Sequence, residues 1–303
     1  MLFRRVAQKK IPETDAIFDQ LSEVNPCADE DETVLRLSLD AKARVWVGDY
    51  SRGGLTRLIV KALDHDFDPI AKLIPFGIYL PQHNEVYLYF VNSNLTSDCI
   101  VDCLDDFWLS QKHRFPQVKT LLLNLDNGQE NSSRRTQFMK RITQFVDSFQ
   151  ITIELAYYPP YHSKYNPIER VWGVLEQHWN GALLDTCDTV LKFAQTMTYK
   201  GRQPVVKFVK TVYHTGISLT QKQMANLEQR FDRLESLSKW FVRIVPLPSS
   251  SSSGWIIFLE QPHVFVHDIF DKDNYFVQIP GYVVDQLASG EKKTRKKADR
   301  KST

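Results

Sequence analysis

Three acidic residues stand where a predicted strand ends or a predicted helix begins. Asp40 closes the alternating segment 34–40, Asp126 closes the apolar run 120–126, and Glu169 falls in the first turn of a helix. Three carboxylates at one place repel each other, and hard divalent cations with oxygen ligands, such as Mg²⁺, stabilise them. A pair of such ions supports in-line displacement at phosphorus, because it activates the attacking oxygen and stabilises the leaving oxygen.

Each carboxylate also has a structural interpretation when it is considered alone. Asp40 suits a tight turn, and Asp-Asn-Gly at 126–128 is a common hairpin turn. Asn166 suits a helix N-cap, which would put Glu169 at the capping-box position. The three residues are therefore a candidate site only as a set.

The segments around these residues predict an α/β fold, a mixed sheet with helices on its faces. The continuous apolar run that ends at Asp126 predicts a central strand covered on both faces. If the first strand and this central strand are neighbours, Asp40 and Asp126 lie side by side at one end of the sheet. The predicted strands are 34–40, 44–48, 73–80, 85–91, 120–126 and 151–157, and the predicted helices are 14–24, 96–112, 133–149, 166–179, 188–198, 204–213 and 220–237.

Composition changes along the chain predict four parts. Residues 1–32 are an acidic connector, 33–182 form the α/β domain, and 183–248 form a helical C-terminal appendix. Residues 249–303 comprise a serine-rich linker, short strands and a basic tail.

The overall composition excludes several classes of protein. With 43% hydrophobic and 24% charged residues among 303, the chain is globular and is neither disordered nor fibrous. No apolar stretch is long enough to span a membrane, so no membrane partner is expected. The four cysteines are too few and too irregular for a disulfide framework, which favours the reducing cytoplasm.

The net charge of +2 is unevenly distributed, and this distribution permits a polyanion as a partner on one face. Residues 189–227 contain no acid, so they are either a surface for nonspecific contact with a DNA duplex or an ordinary solvated face. The basic candidates in this stretch are Lys200, Arg202, Lys207 and Lys210. His162 and Lys164, in the loop before the helix of Glu169, are further candidates for phosphate contact, or else part of an ordinary packed loop.

Other residues of the helix that begins near Asn166 have two interpretations each. Arg170 contacts phosphate or is simply solvated, and Glu176 is either a reserve ligand on nearly the same face as Glu169 or a solvated carboxylate. A stripe of large apolar residues on this helix predicts burial rather than a cofactor site. The stripe consists of Trp172, Leu175 and Trp179.

Three separated motifs resemble one known family. The segments SLDAKARVWVGDYSRGG, LDNGQENSSRRTQF and YYPPYHSKYNPIERVWGVLEQHWNG are similar to the catalytic region of bacterial insertion-sequence transposases of the Asp-Asp-Glu (DDE) class. The resemblance extends from about residue 9 to residue 248. Its Pro-Pro-Tyr…Asn-Pro-Ile-Glu…Trp part is the most specific.

The resemblance implies an RNase H-like fold and metal-dependent cleavage and transfer of DNA strands during transposition. It also implies that Asp40, Asp126 and Glu169 are catalytic residues that bind two Mg²⁺ or Mn²⁺ ions. The expected partners are DNA at the element ends and the target, with the protein forming a homo-oligomer on DNA. The expected location is the cytoplasm, in association with the nucleoid.

The sequence also departs from the family pattern. Members of the family usually carry a helix-turn-helix region ahead of the catalytic domain, and no such region is recognised here, which favours a truncated copy. Two other hypotheses stay open, a noncatalytic DNA-binding remnant acting as a regulator and a stand-alone RNase H-like nuclease.

Overall fold

The protein is described from a computed structural model that covers residues 10–49 and 70–248 and the backbone of 266–267 and 276–277. The helices are α1 (Thr14–Glu30), α2 (Ser97–Gln111), α3 (Thr136–Phe149), α4 (Glu169–His178), α5 (Cys187–Thr196) and α6 (Gln221–Glu228). The strands are β1 (Val34–Ala41), β2 (Val45–Val47), β3 (Ala71–Leu80), β4 (Glu85–Val91), β5 (Thr120–Leu125), β6 (Thr152–Tyr157), β7 (Val205–Val209), β8 (Phe231–Arg233), β9 (Phe241–Ile244), β10 (Val266–His267) and β11 (Phe276–Val277).

The centre of the sheet has the strand order β4-β3-β1-β5-β6. β1 pairs antiparallel with β3 on one side and parallel with β5 on the other, and β5 pairs parallel with β6. A short turn suffices for the antiparallel β3–β4 hairpin, whereas the parallel pairs need the helical crossovers that α2 and α3 provide. This arrangement is the predicted RNase H-like mixed sheet, so the predicted fold class is confirmed.

Alternation along β1 sorts its side chains onto two faces. Its leucines pack into the core that also contains the buried stripes of α2 and α3. The opposite face contacts α1 and α4, because Arg36 donates to Asp29 of α1 and Ser38 bonds to Asn166 just before α4. Side chains two residues apart on a strand point to the same face, so the side chain of Asp40 lies on the face of Arg36 and Ser38, which α4 covers.

The C-terminal part of the fold differs from the helical appendix that the sequence pattern predicts. The helix predicted over 204–213 is wrong: Val205–Val209 form β7, which pairs parallel with β4 at the edge of the sheet. The helix predicted over 220–237 ends at Glu228, and β8 and β9 follow it. The reason is tertiary pairing, since β-branched and aromatic residues beside an open sheet edge satisfy their backbone groups by joining it.

The N-terminal helix is longer than predicted. It runs from Thr14 to Glu30, past Pro26, and buries Ile17 and Leu21 in the main core. Residues 14–30 therefore cover one face of the sheet. The tail and linker predictions for 249–303 lie outside the described residues, apart from the backbone of β10 and β11.

The predicted burial of the apolar stripe on α4 is confirmed. The stripe of Trp172, Leu175 and Trp179 is buried in a second core between α4, α5 and the sheet. Cys99 and Cys103 of α2 are buried free thiols. Within residues 10–49 and 70–248, no helix has the length and apolarity needed to cross a membrane.

Candidate active site

Asp40 of β1 and Asp126, the residue directly after β5, stand at equivalent positions at the ends of neighbouring parallel strands. The β1–β5 register pairs Ser38 with Asn124, and each aspartate follows its member of that pair by two residues. Because side chains alternate with a period of two, both aspartates project from the same end of the sheet toward the same face. The structure thus has the side-by-side placement that the sequence pattern predicts.

Glu169 is brought to this end of the sheet by hydrogen bonds between β1 and the segment before α4. The Asn166 side chain is fully buried, and its Nδ2 donates to Leu39 O at 2.9 Å. Ser38 Oγ donates to Asn166 Oδ1 at 2.5 Å and accepts from the backbone N–H of Ile168 at 2.9 Å. These three bonds, which we call the Ser38–Asn166 clasp, hold the start of the helix against the strand that carries Asp40.

The clasp overturns the capping-box interpretation of Asn166. Helix α4 begins at Glu169 with Ile168 as its N-cap, and no side chain caps it. The Asn166 side chain bonds to β1 instead, and therefore does not tie Glu169 into a cap.

Trp172 connects α4 directly to Asp40. Its indole Nε1 donates to Asp40 Oδ2 at 3.0 Å. The ring fits because Gly77, the β3 partner of Asp40, has no side chain: a Cβ there would lie 2.8 Å from Trp172 and 2.9 Å from Ile168. A glycine inside a strand is therefore what permits the helix to approach the sheet this closely.

The environment of Asp40 changes its ionisation. Burial, followed by the charges of Asp126 and Glu169, raises the pKa of this carboxyl to about 8. The hydrogen bonds from Trp172 and from the Ala41 backbone only partly oppose this rise. The shift indicates that the three carboxylates share one electrostatic environment and that Asp40 holds a proton at neutral pH when no cation is bound.

The Asp126 carboxylate is held by its own loop. Its Oδ1 accepts from the Gly128 backbone N–H at 3.1 Å and from Asn131 Nδ2 at 3.0 Å. Tyr157, at the end of β6, fixes that loop by donating to Asn131 O at 2.8 Å. Among the residues that the structure describes, no three Asp, Glu, His or Cys side chains are grouped closely enough to ligate one ion as they stand.

The donor set nevertheless fits a hard divalent cation. Three carboxylates supply only oxygen ligands, which Mg²⁺ and Mn²⁺ prefer. The charges of Asp126 and Glu169 contribute to the raised pKa of the buried Asp40 carboxyl, and a bound cation would offset their repulsion.

Glu176 has a different role from the reserve ligand considered above. Its Oε2 forms a salt bridge with Lys42 Nζ at 2.8 Å, which links α4 to the turn after β1. The contact strengthens the attachment of the helix beside Asp40.

The loop before α4 contains both buried and exposed candidates for DNA contact. His162 is only 5% exposed: its Nδ1 lies 2.8 Å from Pro160 O, and its ring packs on Phe18 of α1. Its predicted role as a phosphate contact is therefore replaced by one in packing. Lys164 and Arg170 are exposed close to Glu169, where contact with phosphate is sterically open.

The remaining basic candidates lie apart from each other. Lys200 donates to Asn84, and Arg202 pairs with Glu85, so both lie at the β3–β4 turn, at the opposite end of the sheet from Asp40. Lys210 follows β7 at the same end as Asp40, three strands away, or roughly 14 Å.

Lys207 is buried, and its Nζ lies 2.5 Å from Asp106 Oδ2. Its predicted contact with DNA is wrong, because a buried ion pair does not present its charge to solvent. The alternation of β7 turns this residue toward α2 instead.

The sequence pattern does not predict the contacts by which Ser38, Gly77 and Asn166 dock α4, nor the bond from Asn131 to Asp126. Gly77 had a recognisable pattern, since an isolated glycine in an apolar strand often marks a close approach. The partners of Ser38 and Asn131 lie far away or in irregular loops, and no local pattern identifies them.

Solved structures of the Mos1 transposase resemble the fold only distantly. The paired-end complex with the left transposon end matches at a TM-score of 0.43 and 10% identity, over 64% of this chain and 57% of that chain. The Mos1 mariner paired-end complex with Mn gives the same values. The chain thus spans a little over half the length of these Mos1 chains. No curated protein sequence matches it.

A family model gives the decisive comparison. Residues 2–246 match the model described as the Rhodopirellula transposase DDE domain, which covers most of the chain and all three candidate carboxylates. The chain therefore belongs to this family of DDE transposases.

Proposed function

We propose that this chain cleaves and joins DNA strands in a metal-dependent transposition reaction, with Asp40, Asp126 and Glu169 as the catalytic residues. The observation that carries the proposal is the docking of α4 onto the sheet. It brings the helix of Glu169 to the strand end where Asp40 and Asp126 stand side by side. Membership of the DDE family supports the same three residues.

Each residue near the site has a role in this proposal. Asp40, Asp126 and Glu169 would hold two Mg²⁺ or Mn²⁺ ions, which when bound supply activation of the attacking oxygen and stabilisation of the leaving oxygen. Trp172 orients the Asp40 carboxylate, and the Ser38–Asn166 clasp fixes the start of the helix. These contacts pre-arrange the ligands, so that little reorganisation is required during the reaction.

The DNA partner would approach over the exposed start of α4. Lys164 and Arg170 are placed to contact phosphates beside the cleaved bond, and Lys210 marks the outer limit of this surface. Lys200 and Arg202, at the far end of the sheet, would contact DNA only if a duplex or a second copy of the chain wraps around the domain. Homo-oligomerisation on element ends and target DNA, and a location with the nucleoid, are parts of the same proposal.

A strand-cleavage assay tests the proposal. Purified protein is incubated with supercoiled or pre-nicked DNA and Mn²⁺, and cleaved and joined products are measured for wild type and Asp126→Asn. Asp188→Asn is the matched control, because this exposed carboxylate lies on α5 and is paired with Lys192. We expect products from wild type and Asp188→Asn, and a loss of at least a hundredfold in Asp126→Asn.

The two other functions make different predictions in the same assay. A noncatalytic remnant leaves DNA intact in both wild type and Asp126→Asn while still binding it. A stand-alone nuclease produces cleavage without joined products. Either result would replace strand transfer as the function of the chain.

A further inference from the structure

A basic cavity of about 350 Å³ lies beside the loop that carries Asp126. It is bounded by the segment that enters α3, by the end of α6 and β8, and by the residues that precede β9. The lining residues that matter here are Ser133, Arg134, Glu228, Arg233, Ser238 and Lys239. None of them belongs to the candidate active site or to the basic residues considered so far.

The walls of the cavity are fixed by hydrogen bonds between distant segments. Ser133 is 1% exposed, and its Oγ donates to Lys239 O at 2.7 Å. Arg233 donates to Ser133 O at 3.2 Å and to Ser238 O at 3.0 Å. The loop before α3 and the loop before β9 are therefore joined, and the cationic side chains on them keep a defined separation.

The charge of the cavity is positive. Arg134, Arg233 and Lys239 oppose a single acid, Glu228, which pairs with Arg233. The start of α3 adds to this field, because its N-cap makes no side-chain hydrogen bond and its first turn contains no acid. An anion placed here would meet two cationic side chains, Arg134 and Lys239, that are both exposed to solvent.

The cavity lies at the same end of the sheet as the three carboxylates. Asn131 Nδ2 bonds to Asp126, and Arg134 follows Asn131 by three residues, a span of at most about 11 Å along the chain. Arg134 therefore lies within a short stretch of chain of the residue that bonds to Asp126, so one DNA backbone that reaches the carboxylates can also pass this cavity.

We infer that this cavity binds a phosphodiester of the DNA backbone, near the bond that is cleaved, through Arg134 and Lys239. The inference rests on the proposed function only in taking DNA as the partner. Arg233 acts as a positioning residue, because its guanidinium is engaged by Glu228 and by the two loops. The site extends the DNA surface from the start of α4 across β5 and β6 toward β9.

Binding of a duplex oligonucleotide, measured by fluorescence anisotropy in EDTA over a range of salt concentrations, tests the inference. The variant is Arg134→Ala with Lys239→Ala, and the control is Lys112→Ala with Lys119→Ala, two exposed cations on the side of the sheet where β5 begins. We expect the cavity variant to bind roughly 10- to 50-fold more weakly at about 0.1 M salt. The slope of log affinity against log salt should fall by about 1.5 to 2, and the control should match wild type.

Equal affinity and equal salt dependence in the cavity variant and the control would overturn the inference. So would a variant that loses only stabilisation by inorganic phosphate in thermal unfolding while its affinity for DNA is unchanged, because the cavity would then be a site for a free anion. The assay contains no metal, so its result is separate from catalysis. If wild type is catalytically inactive but the cavity variant shows the expected loss of DNA affinity, the proposed function is rejected and the inference that the cavity binds DNA stands.

Discussion

At the scale of single residues, the proposed chemistry depends on how the Asp40 carboxyl ionises. It is buried, bonded to Trp172 and close to two other acids, and together burial and the two charges place its pKa at about 8. A cation bound at the carboxylates would offset the cost of burying the Asp40 charge and its repulsion from Asp126 and Glu169. The protonation of Asp40 and metal binding are thus expected to be linked.

The raised pKa predicts a pH-dependent effect of Asp40→Asn on stability. The ordinary pKa of this group is 3.8, so between pH 4 and pH 8 the unfolded chain has lost a proton that the folded protein still holds. The folded state therefore loses stability as the pH rises through this window, by an amount on the order of 5 kcal/mol. Without divalent cations, Asp40→Asn should be more stable than wild type at pH 8.5 and about equally stable near pH 4.

Urea unfolding at the two pH values checks this prediction. Added Mg²⁺ at pH 8.5 should stabilise wild type and have little effect on Asp40→Asn. A difference in stability that stays constant from pH 4 to pH 8.5 would show that Asp40 is an ordinary carboxylate.

At the scale of secondary-structure elements, the site depends on the docking of α4 against β1 and β3. The Ser38–Asn166 clasp fixes the start of the helix, Trp172 fills the space above Gly77, and the Lys42–Glu176 salt bridge ties its next turns to the sheet. Because Glu169 lies between these contacts, its position follows from theirs.

Removing the clasp should lower activity more than DNA affinity. Asn166→Ala leaves the buried Leu39 carbonyl without its donor, which should cost about 1 to 3 kcal/mol of stability. The rate of strand cleavage should fall at least tenfold, because Glu169 is no longer held in place. Asn180→Ala, at an exposed position just after the same helix, is the control and should behave like wild type.

The close contact at Gly77 predicts a second effect on the same helix. Gly77→Ala would put a methyl group 2.8 Å from Trp172, and the displacement of the ring should cost about 1 to 3 kcal/mol in urea unfolding. Gly173→Ala is the matched control, since a Cβ there meets nothing within 4 Å. Its better helix propensity should make that variant as stable as wild type or slightly more stable. Equal stability of the two variants would mean that α4 is not closely packed on β3.

At the scale of the whole molecule, the C-terminal segments are part of the sheet that carries Asp40. β7 extends it beyond β4, and β9 extends it beyond β6. Lys207 of β7 and Tyr89 of β4 both donate to Asp106 of α2 in the interior. The segment 205–209 therefore contributes to the stability of the domain.

Lys207→Met tests this contribution. It leaves the buried Asp106 carboxylate without its cation, and loss of one partner of a buried pair costs about 3 to 5 kcal/mol. Urea unfolding should show a single transition at lower denaturant for this variant. The control Lys222→Met, at an exposed position of α6, should be as stable as wild type. A small change in the free energy of unfolding of Lys207→Met would indicate that β7 contributes little to the stability of the domain.

The fold and the site were predictable from the sequence to different degrees. Local patterns predict the elements with strong periodicity, from β1 through α4, and the positions of Asp40 and Asp126 at strand ends. Local patterns do not predict β7, because VVKFV beside Pro204 suits either a helix or an edge strand. The choice between them depends on the open edge of β4. No local pattern predicts the Ser38–Asn166 clasp either, since Ser38 and Asn166 are 128 residues apart.

The central claim is that Asp40, Asp126 and Glu169 bind divalent cations together, and a crystal structure grown with Mn²⁺ tests it most directly. Anomalous diffraction would locate the ions independently of the protein chain. We predict anomalous peaks about 2.1 Å from carboxylate oxygens of all three residues, with Asp126 and Glu169 turned toward Asp40. Peaks located elsewhere, or carboxylates that remain more than about 10 Å apart in the presence of Mn²⁺, would contradict the claim.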